Sequence, residues 1–314
     1  MAYRITIDNG GTFTDGVCVD DKGNMVTSKS PTTPEDISIG TLNVIDNLAQ
    51  LLKLDRRTLL SQATSIVNGT TAGTNSIITR TGATLGIIAT KGFPDVIELR
   101  RAPKVGMFNW REPFPEPLVP PRLRVEVEER VDSKGNIVIP LNERSVHKAV
   151  AYLKKQKVEG IVVALLFSFL RPEHERRIAE IIKEDFPEAY VSLSSTILPA
   201  IGEFERTSTA VVDAYIAPIL TKYIKNLRDL LKKEGFKGEL LFMQNNGGTG
   251  TWEVALERPA TLATSGPAAG PSARSPSCGS AAGSSRTGRP PCPGWPGPGA
   301  GRGPGPADRG RPTA

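Results

Sequence analysis

Apolar runs alternate with amphipathic segments along residues 1–270. Three short runs separated by turn residues predict an antiparallel meander at the N-terminus: YRITID, GVCVD and NMVTSKS. Five further strands are predicted in segments that alternate with helices: TSIVNG, TLGIIAT, GIVVALLF, AYVSLS and ELLFMQ. This alternation predicts an α/β fold with a mixed or parallel sheet.

The predicted helices have polar and charged faces. The first, TPEDISIGTLNVIDNLAQLLK, has Thr33 as its candidate N-cap and Pro34 in its first turn. Two charged helices carry His147 and His174, and we expect both imidazoles to be exposed. A long helix is predicted from about Glu205 to Lys233.

The last 44 residues differ in composition from the rest of the chain. Residues 271–314 contain no Val, Leu, Ile, Met, Phe or Tyr and are dominated by Gly, Pro, Ser, Arg and Ala. Such a segment buries too little apolar area to offset the entropy of ordering it, so we expect disorder. The abrupt change suggests an altered reading frame near Gly270. We therefore divide the chain into an N-terminal domain (1–185), the start of a second domain (186–270) and a tail (271–314).

Charge and composition exclude several classes of protein. The net charge is +6, but the tail holds six arginines against one aspartate, which leaves +1 for residues 1–270. We therefore expect no nucleic-acid partner. The longest apolar run, GIVVALLFSFL, is too short to cross a bilayer, and the N-terminus lacks a signal-peptide pattern. With three scattered cysteines, of which we expect Cys18 to be buried in a strand, we predict a cytoplasmic protein without membrane association.

Glycine-containing turns follow several apolar strands: DNGGTFTD, NGTTAGTN and QNNGG, with SGPAAG as a fourth loop. A bound phosphate needs backbone N–H groups unobstructed by Cβ atoms, hydroxyl donors, and a carboxylate for its metal ion. The first turn offers these groups in Gly10 and Gly11, in Thr12 and Thr14, and in Asp8 for Mg²⁺ or its water. A tight hairpin with Asp8 and Asp15 as turn formers explains the same residues. No Lys follows the glycines, which excludes a P-loop.

A strand, a Gly-Gly-Thr turn and a second strand at the start of a meander resemble the first phosphate loop of the actin, sugar kinase and Hsp70 ATPase group. A narrower resemblance, over about residues 3–271, is to the hydantoinase A/oxoprolinase family. Six segments carry it in order and spacing: IDNGGTFTDGV, NGTTAGTNSIITRTGATLGIIATKGFPDVIELRR, PLVPPRLRVEVEERVDSKGNIVIPLNE, EFERTSTAVVDAYIAPIL, FMQNNGG and SGPAAGP. That family includes 5-oxoprolinases, hydantoin-cleaving enzymes and the ATP-using subunits of acetone and acetophenone carboxylases.

The resemblance implies an actin-like ATPase fold and a set of site residues. We expect the ATP and Mg²⁺ site to contain Asp8 as metal ligand and Asn9, Gly10, Gly11, Thr12, Thr14 and Asp15 around it. A second loop facing it would contribute Thr70, Thr71, Thr74 and Asn75, and a hinge would contain Gly247 and Gly248. Candidates near the substrate cleft are Glu205, Arg206 and Thr207. For Arg206, an ion pair with Glu203 or Glu205 at the helix start is an equal alternative.

The departures from the family pattern leave the reaction open. Asn68 and Phe167 stand where many members have histidine, and Gly202 replaces a common arginine, so a histidine base at Asn68 or Phe167 is excluded. We assign no catalytic residue. The resemblance implies ATP-dependent opening of a cyclic amide of hydantoin or 5-oxoproline type, together with a B-type subunit as partner. The alternatives are an ATP-using subunit of an acetone or acetophenone carboxylase, and a non-catalytic assembly subunit.

Overall fold

The computed structural model describes residues 2–33, 36–101, 111 and 115–265. The described strands are β1 (Tyr3–Asn9), β2 (Phe13–Asp20), β3 (Met25–Pro31), β4 (Ala63–Thr70), β5 (Leu85–Thr90), β6 (Arg124–Val127), β7 (Arg130–Val131), β8 (Ile137–Ile139), β9 (Gly160–Ala164), β10 (Tyr190–Leu193), β11 (Glu239–Met243) and β12 (Thr249–Thr251). The described helices are α1 (Ile37–Leu51), α2 (Arg56–Gln62), α3 (Ala72–Thr79), α4 (Val96–Leu99), α5 (Glu143–Lys155), α6 (Glu173–Asp185), α7 (Ser194–Ile197), α8 (Glu203–Lys233) and α9 (Trp252–Glu257). The tail predicted to be disordered lies outside the described residues.

The first sheet has the order β12-β11-β4-β1-β2-β3 within the described part of the chain. Strands β1, β2 and β3 form the predicted antiparallel meander. Strand β4 is parallel to β1, and β11 is parallel to β4. Because the carboxyl ends of parallel strands lie at the same edge of a sheet, the ends of β1, β4 and β11 meet there.

A second sheet is formed by the chain between α3 and α8. Its order is β10-β9-β5-β6, and these strands are parallel. The apolar run that we predicted as a buried strand forms β9, in which Ile161, Val162 and Val163 are fully buried. The predicted mixed α/β fold is therefore confirmed, with its strands divided between two main sheets.

Helices α1 and α8 cover the buried face of the first sheet. Helix α1 lies so close to β2 that a Cβ atom on Gly16 would be 2.1 Å from Val44 Cγ1. The 31-residue α8 also packs against the second sheet, so one helix supports both. Near its middle, Tyr223 packs edge-on against Phe242 of β11, with ring centroids 6.4 Å apart.

The start of α1 differs from the sequence prediction. Asp36, not Thr33, is the N-cap, because its backbone is extended and its side chain accepts a 3.0 Å hydrogen bond from Ser38 N. Thr33 supports the first turn from outside the helix, since its hydroxyl donates to Asp36 O at 2.6 Å and accepts from Gly40 N at 3.0 Å. Pro34 lies outside the described residues.

The two histidines lie in different environments. His147 is exposed, as predicted, and pairs with Asp185. The prediction for His174 is wrong, because this side chain turns inward and its Nδ1 lies 2.9 Å from a carboxylate oxygen of the buried Glu129. Cys18 is buried as predicted, and burial raises the pKa of its thiol to about 11.

Within the described residues, no helix is both long and apolar enough to span a membrane.

Candidate functional site

Three of the predicted loops lie at the carboxyl edge of the first sheet. The first turn follows β1, the loop Asn68–Asn75 spans the end of β4, and Gln244–Gly248 follows β11. These strands are neighbours in the order β11-β4-β1, so the outer two are about 10 Å apart. The fold therefore brings together segments that are up to 240 residues apart in the sequence.

The first turn requires glycine at its start. Gly10 N donates a 3.0 Å hydrogen bond to Phe13 O, and a Cβ atom on Gly10 would lie 2.9 Å from that oxygen. The following residues, Gly11 and Thr12, are exposed at the tip. Their backbone amides are thus accessible to an anionic ligand, as the phosphate interpretation requires.

Asn9 and Thr14 hold the turn from beneath. They face each other across β1 and β2, and both are buried. The Thr14 hydroxyl donates to Asn9 Oδ1 at 3.2 Å and lies 3.0 Å from Thr32 Oγ1, while Thr32 donates to Gly10 O at 2.9 Å. These side chains fix the backbone of the turn, and a direct contact with nucleotide stays a prediction for them.

The second loop contacts the first turn directly. Both Thr71 N and Thr71 Oγ1 donate to Asn9 O, at 3.0 and 3.1 Å. Asn75 Nδ2 donates to Thr71 Oγ1 at 3.2 Å, and a Cβ atom on Gly11 would lie 3.3 Å from the same Nδ2. Asn75 and the tip of the first turn are therefore neighbours across the edge of the sheet.

A cavity of about 320 Å³ opens between these loops. It is lined by Asn9, Gly10, Gly11, Thr32, Ile37, Thr71, Ala72, Asn75, Ser76, Thr79, Thr81 and Ile219. The amino end of α3 lies in this lining, and helix N-termini favour negative charge. Polar groups of the two loops and a helix terminus thus surround a space suitable for a phosphate.

Thr70 and Thr74 have other contacts. Thr70 is buried, and its hydroxyl accepts from Ala72 N at 3.2 Å at the start of α3. Thr74 Oγ1 accepts a 3.0 Å hydrogen bond from Thr264 N, which brings the segment before the fourth loop to the second loop. The rest of that fourth loop, residues 266–270, lies outside the described residues.

Asp8 and Asp15 lie on the other face of the sheet from the cavity-lining Asn9. They are directly opposite each other in the β1–β2 ladder, and Asp15 pairs with Lys29 at 3.2 Å. Partial burial and then the charge of Asp15 raise the pKa of Asp8. Gly69 on β4 leaves room for the Asp8 carboxylate, because a Cβ atom there would lie 3.1 Å from Asp8 Oδ1.

The groups around Asp8 are suited to a Mg²⁺ ion that is also bound by phosphate oxygens. They are not suited to a metal site formed by protein side chains alone. Among the described residues, no group of three or more His, Cys, Asp or Glu side chains could hold a metal ion. Mg²⁺ is commonly held by one or two carboxylates together with water and substrate phosphates. Asp8 directly precedes Asn9 in β1, but its side chain lies on the face of the sheet opposite the cavity, so its assignment as a ligand stays a prediction.

Gly247 and Gly248 form a tight turn after β11. Gly247 has a φ of 81°, and its N–H donates to Gln244 O at 3.0 Å. Gly248 N donates to Asn246 Oδ1 at 2.8 Å. The turn lies at the same edge of the sheet as the other two loops, and its function as a hinge stays a prediction.

Glu205, Arg206 and Thr207 lie far from these loops. They are in the first turn of α8, and Ile219 of the cavity follows roughly 20 Å further along that helix. Arg206 is buried, and its Nη2 donates to Leu165 O at 2.6 Å, whereas Glu205 pairs with Arg101. Among the described residues, Arg206 therefore forms no ion pair with Glu203 or Glu205. Its guanidinium donates to Leu165 O instead, and Glu205 pairs with Arg101.

Tyr223 belongs to the site, although the sequence pattern does not indicate it. Tyr223 on α8 accepts a 2.8 Å hydrogen bond from Asn9 Nδ2 and donates one of 3.0 Å to Asn68 Oδ1. Burial raises the pKa of its hydroxyl, which therefore stays protonated. Its position on an apolar helix face gave no sign of this role, because a buried tyrosine there is ordinary core.

A meander continued by parallel strands, with glycine turns at their common edge, defines one lobe of an actin-like ATPase fold, as the sequence predicts. The chain belongs to the hydantoinase/oxoprolinase family. The model of the hydantoinase/oxoprolinase N-terminal region matches residues 4–186, and the hydantoinase/oxoprolinase model matches residues 206–277.

Similar proteins include ATP-dependent enzymes and subunits of assemblies. The chain is 34% identical to the caprolactamase subunit alpha of Pseudomonas jessenii, over 86% of this chain and 39% of that protein. It is 36% identical to the acetophenone carboxylase gamma subunit of Aromatoleum aromaticum, over 78% of this chain and 35% of that protein. The crystal structure of the ATP-dependent caprolactamase from P. jessenii matches with a TM-score of 0.80 and 32% identity, over 87% of this chain and 40% of that one. The chain thus spans about two fifths of the length of these relatives.

Proposed function

We propose that the complete protein uses ATP and Mg²⁺ to open a cyclic amide of the hydantoin or 5-oxoproline type. In this reaction, the γ-phosphoryl group is transferred to the amide oxygen, and water then opens the activated ring with release of phosphate. The observation that carries the proposal is the direct contact between two loops at the carboxyl edge of one sheet, where the backbone of Gly10 and Gly11 borders a cavity.

In this proposal, the protein positions the phosphates and stabilises their charge. The amides of Gly11 and Thr12 face the phosphate oxygens, Thr71 and Asn75 contact them from the second loop, and Asp8 binds Mg²⁺ through one carboxylate. ATP supplies the activating phosphoryl group. Phosphoryl transfer depends mainly on such positioning and charge stabilisation, which this set of residues can provide without a histidine.

In this proposal, the described loops contact the nucleotide from one side. ATPases of this class enclose it between two related halves, and Gly247 and Gly248 are proposed as part of the hinge between them. We therefore expect the 314-residue chain alone to bind ATP weakly or not at all. A low-micromolar affinity measured by isothermal titration calorimetry on this chain would contradict that expectation.

A second candidate is the ATP-using subunit of an acetone or acetophenone carboxylase. One observation favours it: the 36% identity to the acetophenone carboxylase gamma subunit over 78% of this chain. In either case we propose a B-type subunit as partner and a small molecule as substrate. A non-catalytic assembly subunit is the remaining alternative.

Substrate-stimulated phosphate release tests the proposal. The complete protein, alone and co-expressed with a B-type subunit, is incubated with Mg²⁺-ATP and with 5-oxoproline, hydantoin, acetone or acetophenone. Stimulation by a cyclic amide, lost in Asp8→Asn and kept in the exposed control Asp21→Asn, is the expected result. Stimulation by a ketone alone would support the carboxylase, and copurification without any phosphate release would support the assembly subunit.

A further inference from the structure

A second cavity, of about 490 Å³, lies at the start of α8. We call it the α8 cavity, and it is separated from the phosphate loops by roughly 20 Å along that helix. Its apolar lining is formed by Phe93, Val96, Leu99, Leu166, Phe167 and Phe204. A cavity of this size with mainly apolar walls is typical of small-molecule sites.

Three arginines also line the α8 cavity. Arg101 pairs with Glu205, but within the described residues no carboxylate lies within 4.0 Å of the guanidinium of Arg100 or Arg130. The Arg100 Nε is buried and has no hydrogen-bond partner in the described part of the chain, while its Nη2 donates to Pro115 O at 3.1 Å. Arg130 lies over the Phe93 ring, with 4.7 Å between guanidinium carbon and ring centroid.

The charges of the lining leave an excess of one positive group. After the Arg101–Glu205 pair is formed, the described lining contains Arg100, Arg130 and one further carboxylate, Glu203. Guanidinium groups bind carboxylates with strong, charge-assisted hydrogen bonds. The cavity therefore combines apolar walls with two cationic donors that are available to an anion.

The backbone of the cavity wall adopts conformations that are rare for most residues. Arg100 has a φ of 56°, Phe167 one of 54° and Gly202 one of 112°. For a residue other than glycine such a conformation is unfavourable, and it persists only where the surroundings fix it. Residues of this kind cluster at binding and active sites.

Buried polar groups fix the turn that precedes Phe167. Arg206 Nη2 donates to Leu165 O at 2.6 Å, and Leu165 N donates to Glu175 Oε1 at 3.0 Å. Leu166 N donates to Thr90 Oγ1 at 3.0 Å. Arg206, Glu175 and Thr90 are all buried, so the strained wall of the cavity has a rigid polar support behind it.

We propose that the α8 cavity binds a small organic monocarboxylate with an apolar chain. Its carboxylate contacts the guanidinium groups of Arg100 and Arg130, and its chain packs against Phe93, Leu166 and Phe204. This site is distinct from the phosphate loops and does not depend on the use of ATP.

Isothermal titration calorimetry of the full chain with hexanoate tests the assignment. Hexanamide and hexylamine, which have the same apolar chain, report the contribution of the carboxylate, and inorganic phosphate reports binding of any anion. We expect hexanoate to bind at least about tenfold more tightly than each of them, because hexanamide and hexylamine lose the charge-assisted hydrogen bonds and phosphate lacks the apolar chain. Hexanamide binding as tightly as hexanoate, phosphate binding of the same strength that Arg130→Gln weakens, or no binding of hexanoate, would overturn the proposal.

Variants identify the cavity as the site of binding. Arg130→Gln should weaken hexanoate binding by about tenfold or more, and Arg130→Lys, which keeps the charge, should weaken it less. The matched control is Arg144→Gln, an exposed arginine on α5, which should leave the affinity unchanged. Circular dichroism establishes that each variant is folded. An unchanged affinity in folded Arg130→Gln would exclude this cavity.

Discussion

Asn9 donates a 2.8 Å hydrogen bond to the hydroxyl of Tyr223, which lies 214 positions later in the chain. The same hydroxyl donates to Asn68 Oδ1, so α8 is tied to the ends of both β1 and β4. Asn9 O in turn accepts from Thr71, which links the two loops at the edge of the sheet. One buried hydroxyl therefore supports both sides of the proposed phosphate site.

Replacement of Tyr223 by Phe should destabilise the chain. The substitution removes the hydrogen-bond partner of the buried Asn68 Oδ1 and leaves Asn9 Nδ2 with only its 3.5 Å contact to Gly69 O, at a cost of about 1–3 kcal/mol in the free energy of unfolding. Urea denaturation measures this. Tyr152→Phe is the control, because its hydroxyl donates to Arg122 O at an exposed site and its loss should cost less than about 1 kcal/mol. Equal effects of the two variants would contradict the role of Tyr223.

Alanine at Gly10 should disturb the first turn more than alanine at Gly11. The new Cβ atom at position 10 would lie 2.9 Å from a backbone oxygen, whereas at position 11 it would meet the end of the Asn75 side chain at 3.3 Å. A side-chain end can move and a backbone oxygen in a turn cannot, so only Gly10→Ala should cost about 1–3 kcal/mol. Thermal denaturation of the two variants compares them, and a larger loss in Gly11→Ala would be the contrary result.

Asp8→Asn should increase stability at neutral pH although it removes the proposed magnesium ligand. The pKa of Asp8 is raised by partial burial and by Asp15, so the folded state binds the proton more tightly than the unfolded state does. The ionised carboxylate therefore destabilises the fold above the raised pKa and not below the ordinary pKa of about 4. Because much of Asp8 is exposed, solvent screens this repulsion, and we expect a gain of at most about 0.5 kcal/mol at pH 7 that disappears as the pH falls below about 4.

Urea denaturation as a function of pH measures this gain, with Asp21→Asn in the exposed turn after β2 as the control. The control should show no comparable gain. A loss of stability in Asp8→Asn at pH 7 would mean that the carboxylate stabilises the free lobe, contrary to its position opposite Asp15.

Alanine substitutions at the two histidines should lower the free energy of unfolding by very different amounts. His174→Ala leaves the buried Glu129 carboxylate without one of its partners, and we expect a loss of about 2–4 kcal/mol. His147→Ala breaks an exposed pair with Asp185 and should cost at most about 1 kcal/mol. Chemical denaturation of both variants measures the difference, and similar values would show that burial does not distinguish them.

The periodicity of the sequence predicted the main helices and strands, but not their division into two sheets. Apolar alternation in β1 determines which side chains are buried, and it carries no information on the strand that lies beside it. The pairing of β1 with β4, and of β4 with β11, depends on long-range packing around α8. For the same reason His174 was assigned to the surface, since its partner Glu129 lies 45 positions away.

The loops of the candidate site could be found because each follows an apolar strand and contains glycine. Their residues alternate between the faces of the sheet, which composition alone did not reveal: Thr14 is buried beneath the turn, and Asp15 is exposed on the other face. The resemblance places the first turn of α8 near the substrate cleft, and its distance from the loops along the helix is evident only in the structure.

Hydrogen exchange with and without Mg²⁺-ATP tests the central claim most directly. The measurement uses the complete protein to which the proposal refers, co-expressed with a B-type subunit, and backbone amide exchange is compared residue by residue. The account predicts protection of Gly10–Thr12 and of Thr71–Asn75 on addition of nucleotide, reduced in Asp8→Asn, with no change in the first turn of α8. Nucleotide binding that leaves both loops unprotected would contradict the assignment of the phosphate site.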